Sequence, residues 1–190
     1  MMALLGFVFF GLFSPGPNVI LLTASGARFG FQRTLPHLLG VVLGVGVIAF
    51  VTGFGLGALL KAVPSLRIAL MVVASAWILW MAWRLWNAQP VTADATDRPF
   101  TFLQAILFQW VNPKIWAVAL SAMVYVEDTT PLFKATTLAA VFSGTNLLVC
   151  LFWTSAGTLL KALLSDPFKW RLFMQIMAVA LAVFSALVFL

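Results

Sequence analysis

Six long apolar runs separated by short polar breaks dominate the pattern of the chain. The runs cover residues 2–24, 35–60, 66–86, 100–125, 132–163 and 168–190. About 20 apolar residues are enough for a helix to cross the hydrocarbon core of a membrane. Each run is solidly apolar, whereas a membrane-spanning barrel would need alternating apolar and polar positions. The pattern therefore predicts an all-α integral membrane protein with six transmembrane helices.

One polar loop of any length, residues 87–99, divides the chain into two halves with three apolar runs each. The halves repeat locally, because 57–62 (GALLKA) closes the second run and 157–162 (GTLLKA) closes the fifth. Three crossings are an odd number, so the second half must enter the membrane in the opposite sense to the first. We therefore predict a single membrane domain built as a 3+3 inverted repeat, with repeat one at 1–93 and repeat two at 99–190.

The composition agrees with this interpretation and excludes other protein classes. Of 190 residues, 63% are apolar and 8% are charged, against about 45–50% and about 25% in soluble domains. No segment is polar enough for a soluble catalytic or nucleic-acid-binding domain. The single cysteine, Cys150, excludes an intrachain disulfide and is interpreted as a small buried apolar residue.

The net charge of +6 is interpreted as membrane anchoring, because the basic residues are scattered and form no stripe that would bind nucleic acid. With six spans, Lys61, Arg67 and Lys134 fall on the side of the N-terminus. Seven basic residues fall on the other side: Arg28, Arg33, Arg84, Arg98, Lys161, Lys169 and Arg171. The positive-inside rule then places both termini outside the cytoplasm. If the first run is re-entrant, the N-terminus moves inside.

The first run is interrupted by Ser14-Pro15-Gly16-Pro17-Asn18. Two prolines remove backbone donors and clash with the preceding turn, and glycine adds freedom between them, so no straight helix can continue here. Freed backbone groups are costly in lipid, and such a break is expected where it lines a cavity. The helix that starts at Pro17 would present its positive end to a carboxylate.

The fourth run has a matching interruption at Asn112-Pro113-Lys114, with Gln109 one helical turn before it. Lys114 is the one charged residue well inside a run, and a charge at that depth by default marks a functional site. It would pair with a substrate carboxylate or with carbonyls freed by Pro113; the alternative is that it snorkels to the interface. Runs 1 and 4 are thus predicted to be broken helices.

The predicted site contains no carboxylate, because every Asp and Glu lies in a loop. This argues against a cationic or metal substrate and favours a zwitterionic or anionic one. Asn146 is a further polar candidate in the fifth run, with a helix–helix hydrogen bond as its alternative role. We predict no catalytic residue, no metal site and no cofactor. The predicted substrate-binding residues are Pro15, Gly16, Pro17, Asn18, Gln109, Asn112, Pro113, Lys114 and Asn146.

Three other patterns are interpreted structurally. Gly40, Gly44, Gly53 and Gly57 are mostly four residues apart and predict close helix packing. Trp86, Trp153 and Trp170 lie near run ends and fit an aromatic belt at the membrane surface. His37 opens the second run and is predicted to be interfacial.

Two motifs resemble those of a known family. Pro15-Gly16-Pro17-Asn18 followed by 24–31 (ASGARFGF) resembles the lysine-exporter (LysE) superfamily, in particular its homoserine/threonine-exporter (RhtB) branch, and 108–116 (FQWVNPKIW) is similar to its second signature. The resemblance covers nearly the whole chain. It implies export of amino acids or their derivatives across the bacterial inner membrane, driven by the proton gradient or the membrane potential. The motif positions carried over are Pro15, Gly16, Pro17, Asn18, Asn112, Pro113 and Lys114.

The leading hypothesis is therefore a secondary exporter of neutral amino acids, such as homoserine, threonine or leucine, that works by alternating access in the lipid bilayer. An exporter of inorganic ions or metals with a related architecture is an alternative. A non-transporting assembly subunit that uses its glycine faces is a second alternative, and a homo-oligomer stays open. A membrane enzyme is disfavoured, because no pair of nucleophile and base is visible.

Overall fold

The structure is a computed structural model that describes residues 1–14, 16–56, 64–88, 98–126, 130–163 and 166–187. Within these ranges the chain is helical and forms no strand. The eight α-helices described are α1 Met2–Phe13, α2 Pro17–Phe29, α3 Phe31–Val51, α4 Pro64–Trp86, α5 Phe102–Trp110, α6 Pro113–Ala122, α7 Pro131–Leu163 and α8 Pro167–Leu187. The prediction of an all-α protein is confirmed.

Two short irregular helices extend the regular ones. A π-helical segment, Thr52–Leu56, continues α3, and a 3₁₀ segment, Met123–Val126, continues α6. Within the π-helical segment Gly55 has a φ of 122°, a backbone conformation that favours glycine because it has no Cβ.

Three helices are long and apolar enough to cross a membrane: Phe31–Gly55, Pro131–Leu160 and Pro167–Ala186. A fourth span is formed if α1 and α2, which meet at a bend of 57°, are taken together. Two shorter apolar stretches are Met71–Trp86, which belongs to α4, and Pro113–Val126. By length and composition, the described residues therefore contain three or four candidate spans, and the prediction of six spans is not confirmed. The breaks before Pro17 and Pro113 divide two of the six apolar runs into shorter helices.

Helix α2 lies at the centre of the molecule. Every residue from 19 to 27 is buried, and the helix packs against α3, α7 and α8. Its contact with α7 is a backbone-to-backbone approach at two glycines. A Cβ atom on Gly26 would overlap the carbonyl oxygen of Thr154, and one on Gly157 would overlap that of Thr23. Small residues let helices approach this closely, which is the usual source of packing energy in lipid.

The halves of the chain pack crosswise. In the first half, α1 and α2 pack against α7 of the second, and in the second half α5 and α6 pack against α3 of the first. The two long helices α3 and α7 contact each other, as do α4 and α8. In the α4–α8 contact, the Ser185 hydroxyl donates to the carbonyl of Ser75 over 3.2 Å, and the Ser75 hydroxyl donates back over 3.4 Å.

The outer surface of the bundle is apolar. Large exposed side chains on its outer helices include Val72, Leu79 and Trp83 on α4, Leu148 and Phe152 on α7, and Ile176, Val179 and Val183 on α8. A soluble monomer rarely exposes so continuous an apolar surface. In hydrocarbon, exposing the same apolar surface carries no free-energy cost, which agrees with a membrane protein.

The predicted role of the glycines in helix packing is confirmed for three of the four. Gly40 lies against the backbone of Phe102, Gly44 against the side chain of Gln109, and Gly53 against the backbone of Ala135. Gly57 lies outside the described residues. The three glycines contact other helices of the same chain, so they form no free face for the assembly that the sequence left open as an alternative.

We predict that Gly157→Val destabilises the protein, because the new side chain must push α7 away from the Thr23 backbone. Overpacking of this kind costs about 1–3 kcal/mol or more. The unfolding temperature of the purified protein in detergent, measured by tryptophan fluorescence, should fall by several degrees.

The matched control is Gly144→Val on the same helix, where nothing lies within 4 Å of the added Cβ. This variant should unfold near the temperature of the parent. Equal losses at the two positions would show that the α2–α7 contact does not carry this stability.

Candidate functional site

The two helix breaks lie against each other in the structure. Lys114, in the first turn of α6, donates a hydrogen bond from Nζ to the carbonyl oxygen of Ser14, at the end of α1. A Cβ on Gly16 would lie 2.7 Å from Cδ and 3.0 Å from Nζ of Lys114. A larger residue at position 16 would therefore displace the lysine. The sequence left open whether Lys114 binds a substrate carboxylate, binds carbonyl groups freed by Pro113, or snorkels to the interface. The structure shows a hydrogen bond to a carbonyl group, but to one at the break in the other half of the chain.

The second break is stabilised by Trp116, a side chain of the helix that follows the break. The indole Nε1 of Trp116 donates to the carbonyl oxygen of Trp110 over 2.9 Å. The backbone N–H of Asn112 donates to the Gln109 carbonyl oxygen over 3.2 Å. Because an unsatisfied backbone group is costly away from water, these bonds let the helices be interrupted inside an apolar bundle.

Both helices that leave the breaks begin in the same way. Proline is the first residue of α2 and of α6, preceded by Gly16 and Asn112 as N-cap residues. Neither N-terminus is capped by a side-chain hydrogen bond. Two positive helix ends and the Lys114 ammonium group therefore meet in one region, which is favourable for a negatively charged group.

A part-buried pair of side-chain amides joins the two halves beside the breaks. The Asn18 Nδ2 donates to Gln109 Oε1 over 2.8 Å, and Gln109 Nε2 donates back to Asn18 Oδ1 over 3.1 Å. Gln109 also donates to the Ala105 carbonyl oxygen over 2.9 Å and accepts from Asn112 Nδ2 over 3.4 Å. Gln109 is fully buried, and these bonds tie its amide to Asn18, Asn112 and the Ala105 backbone.

Two other side-chain amides each have a polar atom without a hydrogen-bond partner among the described residues. Asn112 and Asn146 are 0% and 2% exposed, yet Asn112 Oδ1 and Asn146 Nδ2 have no hydrogen-bond partner among the described residues. Leaving a buried polar atom unpaired costs about 1–3 kcal/mol. The helix–helix hydrogen bond that was the alternative role of Asn146 is absent at Nδ2. One open acceptor and one open donor thus lie beside the breaks.

A small cavity connects these groups. Five predicted site residues line it: Gly16, Asn18, Asn112, Lys114 and Asn146. Its open volume of about 10 Å³ has room for about one water molecule. Pro17, Gln109 and Pro113 lie behind the lining, where they shape the helix breaks, and Pro15 lies outside the described residues.

The rest of the lining is apolar and was not predicted. It consists of Leu12, Val19, Leu22, Ile115, Val149, Cys150 and Trp153. The sequence could have predicted part of this apolar lining. Val149, Cys150 and Trp153 lie three, four and seven residues after Asn146, so they share its face of α7.

Two assignments to the membrane surface are wrong. Trp153 lines the cavity and packs against Phe13, with ring centroids 5.3 Å apart. Trp170 is buried and donates to the Ala88 carbonyl oxygen over 3.3 Å. Position near the end of a run does not distinguish a lipid-facing indole from one that faces the bundle. Trp86 is exposed and fits the prediction.

Metal ligands do not come together in the described part of the chain. No group of three or more His, Cys, Asp or Glu side chains is found there. Asp166 is the one carboxylate residue within the described ranges, and its side chain caps α8 through the backbone N–H groups of Phe168 and Lys169.

Sequence comparison finds a family match that spans both helix breaks. The LysE type translocator family matches residues 9–190, which includes both breaks and nearly all of the chain. The chain belongs to this family. No solved structure matches it at a significant level.

Several named relatives of this LysE type translocator are efflux proteins. The cysteine/O-acetylserine efflux protein of Klebsiella pneumoniae is 28% identical over 153 residues, 79% of this chain and 78% of its own length. The protein of the same name from Escherichia coli O1:K1 is 26% identical over 163 residues, 85% and 80% of the two chains. That from Salmonella typhimurium is 29% identical over 110 residues, 58% of this chain and 56% of its own length.

We predict that Asn18 and Gln109 stabilise the protein as a pair. In a double-mutant cycle with Asn18→Ala and Gln109→Ala, the two changes should be non-additive by about 0.6 kcal/mol and at most about 1.7 kcal/mol, the range measured for polar pairs between membrane helices. The measurement is the free energy of unfolding in mixed micelles.

The control cycle combines Gln109→Ala with Asn87→Ala. The Asn87 side chain bonds only within its own helix region, to the Trp83 carbonyl oxygen over 2.9 Å. Its cycle should be additive. An additive result for Asn18 and Gln109 would contradict the pairing.

Proposed function

We propose that this LysE type translocator is a secondary exporter of small neutral amino acids or their derivatives, with the substrate bound between the two helix breaks. The observation that carries the proposal is the Lys114–Ser14 contact, which brings the breaks of the two halves together beside a polar cavity. Broken helices that meet at the interface of two repeats are the usual place for a transporter's substrate.

The charges at the site match an amino acid. The Lys114 ammonium group and the two positive helix ends favour a carboxylate, and the open Nδ2 of Asn146 adds a donor. The open Oδ1 of Asn112 would accept from a substrate ammonium group. Because no carboxylate side chain of the described residues lines the cavity, a substrate with net positive charge would lack a counter-charge there.

The substrate class follows from the lining and from the relatives. Val19, Leu22 and Val149 supply an apolar wall, which suits a short side chain without charge. Named relatives export cysteine and O-acetylserine, and the family resemblance implied homoserine, threonine or leucine. We propose that the substrate is a small neutral amino acid, a class that includes O-acetylserine.

Transport requires the helices to move. A cavity with room for about one water molecule cannot hold an amino acid, so the structure corresponds to a closed site. We propose that α1 to α4 and α5 to α8 are inverted repeats that together form six spans, broken in the first and fourth. The crosswise packing of the halves and the reciprocal Ser75–Ser185 bonds support this arrangement. Rocking of one half against the other would open the site to each side in turn.

The proposed setting is the bacterial inner membrane, with both termini outside and with export driven by the proton motive force. Arg28, Arg84 and Arg98 surround one cavity at a single end of the bundle, which agrees with a cytoplasmic face rich in basic residues. Lys114 is the charged group at the site that could respond to the electrical or the proton gradient.

We predict that Lys114→Met lowers counterflow of the transported amino acid in proteoliposomes about tenfold or more. Loss of a hydrogen bond to a charged group costs about 1.5–3 kcal/mol, and about 1.4 kcal/mol corresponds to a factor of ten. Asn112→Ala should also lower the rate, because it removes the open acceptor. The panel should include cysteine, O-acetylserine, homoserine, threonine and leucine.

Lys169→Met is the matched control, because Lys169 is exposed on α8 and does not line the cavity. It should transport as the parent does. If Lys114→Met and Asn112→Ala both transport the whole panel at the parental rate, the proposed site is wrong. In cells, the amino acid that accumulates in the medium with the parent but not with Lys114→Met identifies the exported substrate, and an uncoupler should abolish this accumulation.

We predict opposite labelling of two single-cysteine variants made in a Cys150→Ser background. Arg33→Cys should react with a membrane-impermeant maleimide only in inverted vesicles, and Lys134→Cys only in intact spheroplasts, because an odd number of crossings separates them in the six-span arrangement. Reaction of both from the same side would contradict that arrangement.

A further inference from the structure

The carboxamide of Gln109 has a fixed orientation, because one of its hydrogen bonds is to the backbone. Gln109 lies in the last turn of α5, and its Nε2 donates to the carbonyl oxygen of Ala105, one turn earlier, over 2.9 Å. A carbonyl oxygen can only accept a hydrogen bond, so the Gln109 atom that faces it must be the nitrogen. The backbone of α5 therefore decides which end of this carboxamide donates and which accepts.

The orientation of Gln109 determines that of Asn18, the second residue of α2. The atom of Asn18 that lies 2.8 Å from the acceptor Oε1 must be the donor Nδ2, and Oδ1 lies 3.1 Å from the Nε2 of Gln109. If the Asn18 carboxamide were turned over, oxygen would face oxygen and nitrogen would face nitrogen. Because the last torsion of an asparagine side chain is otherwise broad and two-fold, Gln109 removes a freedom that Asn18 would have without it.

The surroundings of Gln109 keep it from turning to suit its partners. Its side chain is fully buried, and a Cβ added to Gly44 of α3 would lie 2.7 Å from its Cγ. Turning the Gln109 carboxamide over would place its Oε1 against the Ala105 carbonyl oxygen and leave a buried nitrogen unpaired, which costs free energy. Gln109 is therefore the fixed member of the pair, and Asn18 is the member that it orients.

Asn18 keeps polar capacity that Gln109 does not use. An asparagine carboxamide has two N–H donors and two lone pairs on its oxygen. The two bonds to Gln109 use one of each, so one N–H and one lone pair are left. Asn18 lines the cavity between the breaks, and unlike Gln109 and Asn112 it is partly exposed. Its Oδ1 is therefore an acceptor held in a fixed orientation at the wall of the cavity.

We propose that Gln109 is a positioning residue, which orients the Asn18 carboxamide so that its oxygen accepts a hydrogen bond from the ammonium group of the substrate. The inference rests on the proposed export of amino acids and adds how their ammonium group is recognised. The substrate carboxylate is held elsewhere, by Lys114 and the positive helix ends. Separate groups thus recognise the two charged ends of the amino acid, and Gln109 acts through Asn18 without touching the substrate.

The test compares an amino acid with two counterparts that each lack one charged end. Counterflow of the amino acid that the parent transports fastest is measured in proteoliposomes. It is inhibited with that amino acid, with the acid that lacks its ammonium group, and with the alcohol that lacks its carboxylate. For threonine these are β-hydroxybutyrate and threoninol, and for leucine they are isocaproate and leucinol. The ratio of half-inhibitory concentrations measures the discrimination at each end.

The variants separate the positioning role from a structural one. Asn18→Ala changes the contact itself at a partly exposed position, and Gln109→Met removes the polar atoms while keeping a long side chain. Gln109→Ala replaces Gln109→Met if the latter does not fold. The double variant combines the changes at both positions. The control is Ser185→Ala, which removes the 3.2 Å hydrogen bond to the Ser75 carbonyl oxygen between α4 and α8, away from the cavity.

We expect the parent and Ser185→Ala to discriminate alike against the acid that lacks the ammonium group. Asn18→Ala should lower this discrimination about tenfold or more, the effect of losing a hydrogen bond to a charged group, and the Gln109 variant should lower it by a similar factor. Discrimination against the alcohol should stay at the parental level. The double variant should lose no more than Asn18→Ala alone, because Gln109 acts through Asn18.

Three outcomes would overturn the proposal. The first is parental discrimination in Asn18→Ala. The second is a loss in the double variant that multiplies the two single losses, which would show that Gln109 acts without Asn18. The third is an equal loss of discrimination at both ends, which is the result expected if Gln109 only stabilises the fold. A parent that transports no amino acid contradicts the proposed function itself, and the inference with it.

Discussion

The rule that backbone polar groups must be satisfied inside an apolar bundle governs the centre of this protein. Each proline break frees carbonyl groups, and the structure meets them with side chains: Lys114 for Ser14, and Trp116 for Trp110. The lysine reaches across from the second half of the chain to the first. This hydrogen bond joins the two halves at their breaks, and it places an ammonium group in the proposed substrate site.

The close approach of the helices also follows from the apolar surroundings of the bundle. Without a hydrophobic driving force in lipid, helices associate through small residues and polar contacts. Gly16 leaves space for Lys114, and Gly26 and Gly157 bring the α2 and α7 backbones together. Burial of α2 on all sides follows. Helix α2 lines the cavity at the breaks with Asn18, Val19 and Leu22, and it lines a second cavity with another face that includes Ser25 and Arg28.

The sequence predicted the two helix breaks and the polar residues that line the cavity beside them. Prolines inside apolar runs and a lone lysine at depth are strong signals, because both are costly in lipid and persist only where the protein uses them. Five of the nine predicted site residues line the cavity. The number of spans was harder to predict, because hydropathy measures the length of an apolar run and does not show where the helix ends. Trp153 and Trp170 were misplaced for a related reason, because composition does not distinguish a lipid-facing side chain from one that faces the bundle.

Residue chemistry alone determined that the protein is helical, embedded in a membrane, broken twice and free of carboxylates inside its apolar runs, because each of these depends on local sequence and on the cost of burying charge. Only the tertiary structure decided which groups face one another. It paired Asn18 with Gln109, left one polar atom each of Asn112 and Asn146 without a partner among the described residues, and brought three arginines and His37 into the lining of one cavity. Those contacts join residues far apart in the chain, and their geometry is set by how the helices pack.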